Sequence, residues 1–277
     1  MVRRLVLLAI LFFPGLAAAA PALTDRLDAE GLFHQANQAY KEGRIEEAIQ
    51  GFQTLLAAGF AGGHVYYNLG NAYFKNGQLG QAILSYERAR LRLPRDADLG
   101  FNLATAQDRT LDAVKLSRGV LVQTFFWLGS LTLTECFFIF GLANGIFWFI
   151  LILRFFFKTD TVYYLLICGL ALWLATGLSL ALKAYQTGTD DRAVILGSEV
   201  SVRAGPEAKD TVLFQLHAGT VVYTERREGD WALIRLAEDK RGWVRADEVE
   251  RIVRPLENFG FRPNSLSGFG SKSSKYR

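Results

Sequence analysis

Residues 63–96, GHVYYNLGNAYFKNGQLGQAILSYERARLRLPRD, decide the fold of the first part of the chain. Tyr66, Leu69, Gly70, Tyr73, Gly77, Ala82, Tyr86, Ala89 and Pro94 set large and small side chains where a two-helix unit of about 34 residues needs them. A looser copy precedes it. Phe33, Ala36 and Tyr40 fall at helical spacing over 29–41, and Ala48, Phe52 and Leu55 over 45–57, with one residue fewer expected in the turn at Gly43. Beyond it, Asn102, Leu103 and Ala104 echo Asn68, Leu69 and Gly70, so a third inner helix is expected from Asp98 to about Leu116 as a cap. Units of this kind cannot bury an apolar face alone and must stack.

Over residues 29–116 the chain resembles the tetratricopeptide repeat family. The resemblance implies a concave groove, lined by the inner helices, that holds an extended or helical peptide of a partner. Carried across position by position, the groove takes His34, Gln38 and Lys41 from the first repeat, His64, Tyr67, Asn71 and Phe74 from the second, and Phe101 and Thr105 from the cap. The Asn71 amide offers donors and an acceptor, and either holds a peptide backbone or ties its own helix pair. The two-lysine pattern that grips a C-terminal carboxylate in some relatives is incomplete, with Lys41 the only contributor, so no carboxylate ligand is carried across.

Arg3 and Arg4, the apolar run Leu5–Leu16 and the alanines 17–20 read as a secretory signal over 1–20, with an uncleaved anchor as the alternative. Cleavage after Ala19 or Ala22 fits the small-residue rule. Between Gly119 and Phe157 charge almost disappears, yet two spans would need ~40 apolar residues. One span is expected, 133–156, started by the capping-box spacing of Thr132 and Glu135, with Val120–Leu131 and its Phe125, Phe126 and Trp127 lying along the interface. A second span is expected over 161–182, flanked by Tyr163, Tyr164 and Tyr185. Arg154 and Lys158 between them favour a cytoplasmic loop, which puts both soluble parts outside a bacterial inner membrane, in the periplasm. Gly141 and Gly145, with Asn144 beside them, form a close-packing motif for the second span or for another membrane protein. Asn144 is the only strongly polar side chain at mid-depth, so nothing resembles a conduction path. Cys136 and Cys168 differ in expected depth by ~15 Å, beyond disulfide reach.

Residues 193–252 alternate short apolar runs with turns: Val200 and Val202, Val212–Leu216, Val221–Tyr223, Trp231–Leu236 and Gly242–Val244. This spacing predicts a barrel of about five strands. Val200–Pro206, Ala218-Gly219-Thr220, Gly229-Asp230-Trp231 with Ile234-Arg235, and Gly242-Trp243-Val244 give residues 190–253 a resemblance to bacterial SH3 domains. The resemblance implies binding of peptides or cell-wall glycopeptides through aromatic surfaces, here Tyr223, Trp231 and Trp243, although a Trp in a Gly-Trp-Val strand also suits a core. Residues 254–277, basic and poor in apolar surface, read as a disordered tail.

The net charge of +4 is modest, and the module from Asp190 to Arg251 carries more acidic than basic side chains, so nucleic acid is a poor partner. Three histidines, His34, His64 and His217, are split between two domains, and no nucleophile–base pair, carboxylate dyad or metal cluster emerges. No catalytic residue, metal or cofactor is expected. The fold class is multidomain: an all-α repeat domain, two transmembrane helices and a small all-β SH3-like barrel. Signal, repeats, two spans and terminal SH3 module, in that order, resemble the BatE-type membrane proteins of the aerotolerance (Bat) operons. That resemblance implies a non-enzymatic adaptor working beside von Willebrand factor A-type membrane proteins and a MoxR-type ATPase in envelope stress. A peptidoglycan-binding sensor acting through the SH3 module is the alternative.

Overall fold

The computed structural model describes residues 23–112, 125, 127–236 and 240–253. The expected signal at 1–20, the tail at 254–277, residues 113–116 of the expected cap, and the stretch 120–124 with Phe126 lie outside them.

Five helices open the described chain: α1 (Leu23–Lys41), α2 (Ile45–Ala57), α3 (Gly63–Lys75), α4 (Leu79–Arg90) and α5 (Ala97–Gln107). The α1–α2 and α3–α4 turns are the same length, which corrects the expected shorter first turn. Both use a glycine in the left-handed region, Gly43 at φ 81° and Gly77 at φ 74°, where other side chains are strained. Ala36, Ala48, Phe52, Leu55 and Leu69 bury the seam between the two repeats. Gly70 admits the Tyr86 ring, because a Cβ there would lie 2.6 Å from Tyr86 Cδ1. Helix α5 starts on Asp96, whose carboxylate accepts from Leu99 N at 2.9 Å. It ends at Gln107, well short of the expected Leu116. The chain turns there and brings Asp112 onto the β domain, where it accepts from His217 N at 2.7 Å.

A short helix α6 (Trp127–Ser130) leads into α7 (Leu133–Phe156) and α8 (Asp160–Gly188). Thr132 Oγ1 accepts from Glu135 N at 3.1 Å and Glu135 Oε2 accepts from Thr132 N at 2.8 Å, so a capping box opens α7. Helix α8 continues past the expected end at Leu182, and its added turn lets Lys183 Nζ donate to Leu128 O at 2.6 Å. Both α7 and α8 are long and apolar enough to cross a membrane, and Phe138, Leu142, Phe149, Tyr164 and Leu174 stand exposed on them. Phe140 meets Gly177, Asn144 meets Trp173, and Phe147 and Ile150 meet Gly169, so the helices run antiparallel and the chain returns to the end it left. Cys136 and Cys168 are free thiols.

The C-terminal part is one antiparallel sheet of seven strands: β1 (Arg192–Ile195), β2 (Glu199–Arg203), β3 (Val212–His217), β4 (Val221–Glu228), β5 (Trp231–Arg235), β6 (Arg241–Arg245) and β7 (Val249–Arg251), in the order β3-β2-β6-β5-β4-β1-β7. The five expected strands are β2–β6. The two additional ones, β1 and β7, pair with each other at one edge and are short, so alternation over three or four residues is a weak signal. Ile195, Val200, Val202, Val222, Ile234 and Val244 fill the module's core.

The repeats and the sheet share a second core. Tyr66, Ile83, Tyr86 and Leu103 cluster with Val194, Val221 and Ile252, so apolar surface of both domains leaves water together.

Candidate functional site

The shared core is bordered by polar groups that the fold satisfies. Arg88 on α4 is buried, and its guanidinium donates to Ile252 O (3.2 Å), Arg251 O (2.8 Å) and Glu250 Oε1 (2.7 Å) along β7. Glu87, also buried, pairs with Arg90 at 2.6 Å and Arg192 at 3.4 Å. The Asp112 carboxylate accepts from His217 N, from Thr220 Oγ1 at 2.5 Å, and meets His217 Nδ1 at 3.0 Å. Burial works against its charge, but the hydrogen bonds from Thr220 and His217 outweigh it and hold its pKa below the ordinary carboxylate value. Gly80 sits where α4 meets β1: a Cβ there would lie 2.7 Å from Ile195 O and 3.0 Å from Leu196 Cα. The SH3-like module is therefore seated directly on the repeat domain. Arg95, just before α5, reaches the other way, donating to Ser130 O at 3.1 Å and pairing with Glu135 at the head of α7.

On the inner helices, His34, Gln38, Lys41, His64 and Phe101 are exposed, and Tyr67, Asn71, Phe74 and Thr105 half-buried. The structure ties Tyr67 and Asn71 into a single network. Asn71 Oδ1 accepts from Tyr86 OH at 2.8 Å and from Asn102 Nδ2 at 3.0 Å, and Asn102 Nδ2 also reaches Tyr67 OH at 3.0 Å. The oxygen of Asn71 thus joins α3 to α4 and α5, while its amide nitrogen makes no hydrogen bond to a described residue. Arg109 covers the Phe74 ring at 4.4 Å, and Thr105 Oγ1 turns back to Phe101 O at 2.9 Å. Gln38 donates to Glu42 at 2.6 Å. Phe101 stands out most, 72% exposed with no part in the core.

Sequence reading missed Asn37, Asn68 and Asn102 as a set. Asn68 Nδ2 donates to Asn37 Oδ1 at 2.7 Å across α1 and α3, and Asn102 repeats that bond to Asn71 across α3 and α5 with the same separation of 31 residues. The signal was present in the sequence as asparagines recurring at the repeat period, Asn37 with Asn71 and Asn68 with Asn102.

On the SH3-like module, Tyr223, Trp231 and Trp243 lie on one face of the sheet. Register makes this so: Tyr223 pairs with Arg235, Trp231 with Arg245, and Trp243 with Leu233, all on the side opposite Val222, Ile234 and Val244. Of the two readings of Trp243, surface ring or core, its burial agrees with the core one. It is only 6% exposed, covered by Arg226 at 5.2 Å and flanked by Arg203 on β2. Tyr223 lies under Arg235 at 4.8 Å.

For the Gly141–Gly145 motif, the structure corrects one of the two expected partners, the second span. Nothing lies within 4 Å of a Cβ built on Gly141 or Gly145, so neither glycine makes the contact between α7 and α8. Gly169 and Gly177 of α8 make it, against Ile150, Phe147 and Phe140. Asn144 does face the second helix and accepts from Trp173 Nε1 at 3.0 Å.

Among the described residues no three His, Cys, Asp or Glu side chains converge as a metal would require. No curated protein matches the chain. The tetratricopeptide repeat family model matches residues 65–96, and the bacterial SH3 domain family model matches residues 198–250.

Proposed function

We propose that this chain is a non-enzymatic, membrane-tethered scaffold that holds two protein-binding surfaces in a fixed relation. The observation that carries the reading is the shared core of Ile83, Tyr86, Val194, Val221 and Ile252, with Arg88 bonded along β7. A flexible tether would let two modules bind independently, whereas a buried joint makes the position of one partner depend on the other. The spans α7 and α8 fix this unit to a bacterial inner membrane. Arg154 stands in the last turn of α7 and Lys158 in the connection to α8, and the positive-inside tendency supports a cytoplasmic loop with a periplasmic repeat–SH3 unit.

The order of parts supports partners of the von Willebrand factor A type, linked to a MoxR-type ATPase, as in the BatE-type proteins that the chain resembles. The peptide groove we propose comprises His34, Gln38, Lys41, His64, Tyr67, Asn71, Phe74, Phe101 and Thr105. Affinity purification of the full chain from solubilised membranes, comparing wild type with Phe101→Ala, tests the scaffold. Phe101 suits the test better than Asn71, because Asn71→Ala would also cut the bonds to Tyr86 and Asn102. A set of membrane partners that weakens in Phe101→Ala supports the groove, and no partner in either sample rejects it.

The match to bacterial SH3 domains favours a second reading, a wall-binding sensor. Co-sedimentation with purified sacculi, lost in Trp231→Ala, would move the working surface from the repeats to the module.

A further inference from the structure

The module from Asp190 to Arg251 has more acidic than basic side chains, yet its outer β4–β5–β6 face gathers arginines around aromatic rings. Arg226 stands on β4, Arg235 on β5, and Arg241 and Arg245 on β6, with Arg203 of β2 opposite Trp243. Among the described residues, three carboxylates pair with four of these five guanidinium groups, and Asp230 and Glu248 also act on Arg245 through space. Glu225 accepts from Arg235 Nε at 3.2 Å and lies 3.4 Å from Arg241 Nε, Glu228 pairs with Arg226 at 3.2 Å, and Asp247 with Arg245 at 3.2 Å. Arg203 is spent on a backbone oxygen, Asp210 O, at 2.9 Å. The Nη groups of Arg235, Arg241 and Arg245 make no hydrogen bond to a described residue, although each guanidinium has five N–H donors. Between the arginines lie Trp231, Leu233 and Tyr223, half-buried and apolar.

We infer that this face docks an extended acidic segment of a partner protein, with carboxylates seated on the guanidinium edges that bond no described residue and apolar side chains against Trp231, Leu233 and Tyr223. The inference deepens the scaffold reading by giving its second surface a partner chemistry. Charge complementarity commits the occupant: Arg donors that bond no described residue, arranged in a fork, favour carboxylates, and rings between them favour apolar neighbours. The spacing points to an extended peptide. Cross-strand rows repeat about every 7 Å along β5 and β6, which is the distance between alternate side chains of an extended chain. A uniformly anionic bilayer would also meet Glu225, Glu228 and Asp247, whereas a peptide with spaced acids meets the arginines and passes the carboxylates.

The test uses the full chain in zwitterionic detergent and labelled decapeptides followed by anisotropy: alternating Asp and Leu, alternating Lys and Leu, and a wall-derived disaccharide peptide. The Asp–Leu peptide is expected to bind, to weaken as salt rises, and to bind at least about tenfold more weakly to Arg226→Glu/Arg245→Glu. Both arginines are exposed, and an unchanged circular dichroism spectrum establishes that the variant is folded. Equal binding of the Lys–Leu peptide, tighter binding of the disaccharide peptide, preferential binding to anionic lipid nanodiscs, or an unchanged affinity in the variant overturns the inference. The salt titration of wild type decides it without any variant. Membrane partners retained equally by wild type and variant, with no acidic-peptide binding, overturn this inference alone. Acidic-peptide binding with no retained partner in either sample supports the face and rejects the scaffold reading.

Discussion

The repeat–SH3 joint and the pair of apolar helices both use glycine for close approach, and they differ in what sits around it. Where α4 meets β1, Gly80 is buried against Ile195 O, and the surrounding charges Arg88, Glu87 and Asp112 are all paired. Where α7 meets α8, the contact is made by Gly169 and Gly177 under aromatic and aliphatic side chains, with one polar bond between Asn144 and Trp173. The first contact removes apolar surface from water and must satisfy every polar group it covers. The second, between helices apolar enough for a bilayer, has no such drive and depends on shape and a single amide. A glycine therefore reports close approach only when its neighbour is known: Gly80 has one, and the more conspicuous Gly141 and Gly145 have none within 4 Å.

The sharpest way to break this contrast is Arg88→Ala. It strips the Arg251 and Ile252 carbonyls of this donor and breaks its ion pair with Glu250, and costs about 3 kcal/mol, read as a lower urea midpoint of the repeat–SH3 unit in detergent. Next comes a pair of glycine variants. Gly80→Ala forces a Cβ against β1 and costs about 1–3 kcal/mol in the same titration, whereas Gly145→Ala changes it by less than about 0.5 kcal/mol. An equal effect of the two would mean that the repeat–SH3 joint is not tightly fitted.

Asp112→Asn sharpens the comparison through pH and costs about 1 kcal/mol at neutrality. The Asp112 carboxyl titrates below its ordinary 3.8 when folded, so its contribution is complete above about pH 4 and fades as pH falls through that lower value. Melting curves of wild type and variant should accordingly converge in acid and stand furthest apart above pH 4. The smallest effect is expected in the apolar pair: Asn144→Leu removes one bond worth about 0.6 kcal/mol, measurable by crosslinking α7 to α8 in micelles.

The parts that could be read in advance are those governed by short-range periodicity. Tyr66, Leu69 and Gly70 marked an inner helix face, Thr132 with Glu135 marked a helix start, and alternation marked β2–β6. The shared face of Tyr223, Trp231 and Trp243 followed from strand register, which alternation alone leaves open, and the covering of Trp243 by Arg226 required two strands side by side. Helix α5 ends at Gln107, and Asp112 beyond it bonds a turn 105 residues away, a partner that no local window contains. The groove positions could be assigned to helix faces, but the role of Asn71 depended on Tyr86 and Asn102 lying beside it.

The sequence by itself determined the kinds of element and their order: stacked helical repeats, two apolar helices and a β module. Each is written in spacings of two to four residues, which backbone hydrogen bonding and side-chain direction convert directly into helix or strand. Tertiary structure alone decided that the module is seated on the repeats, that α8 rather than α7 supplies the glycines of the helix pair, and that the arginines of β4–β6 share one face with the aromatic rings. Those outcomes rest on desolvation and pairing between residues up to 164 positions apart, and such energies exist only once the chain has brought the partners together.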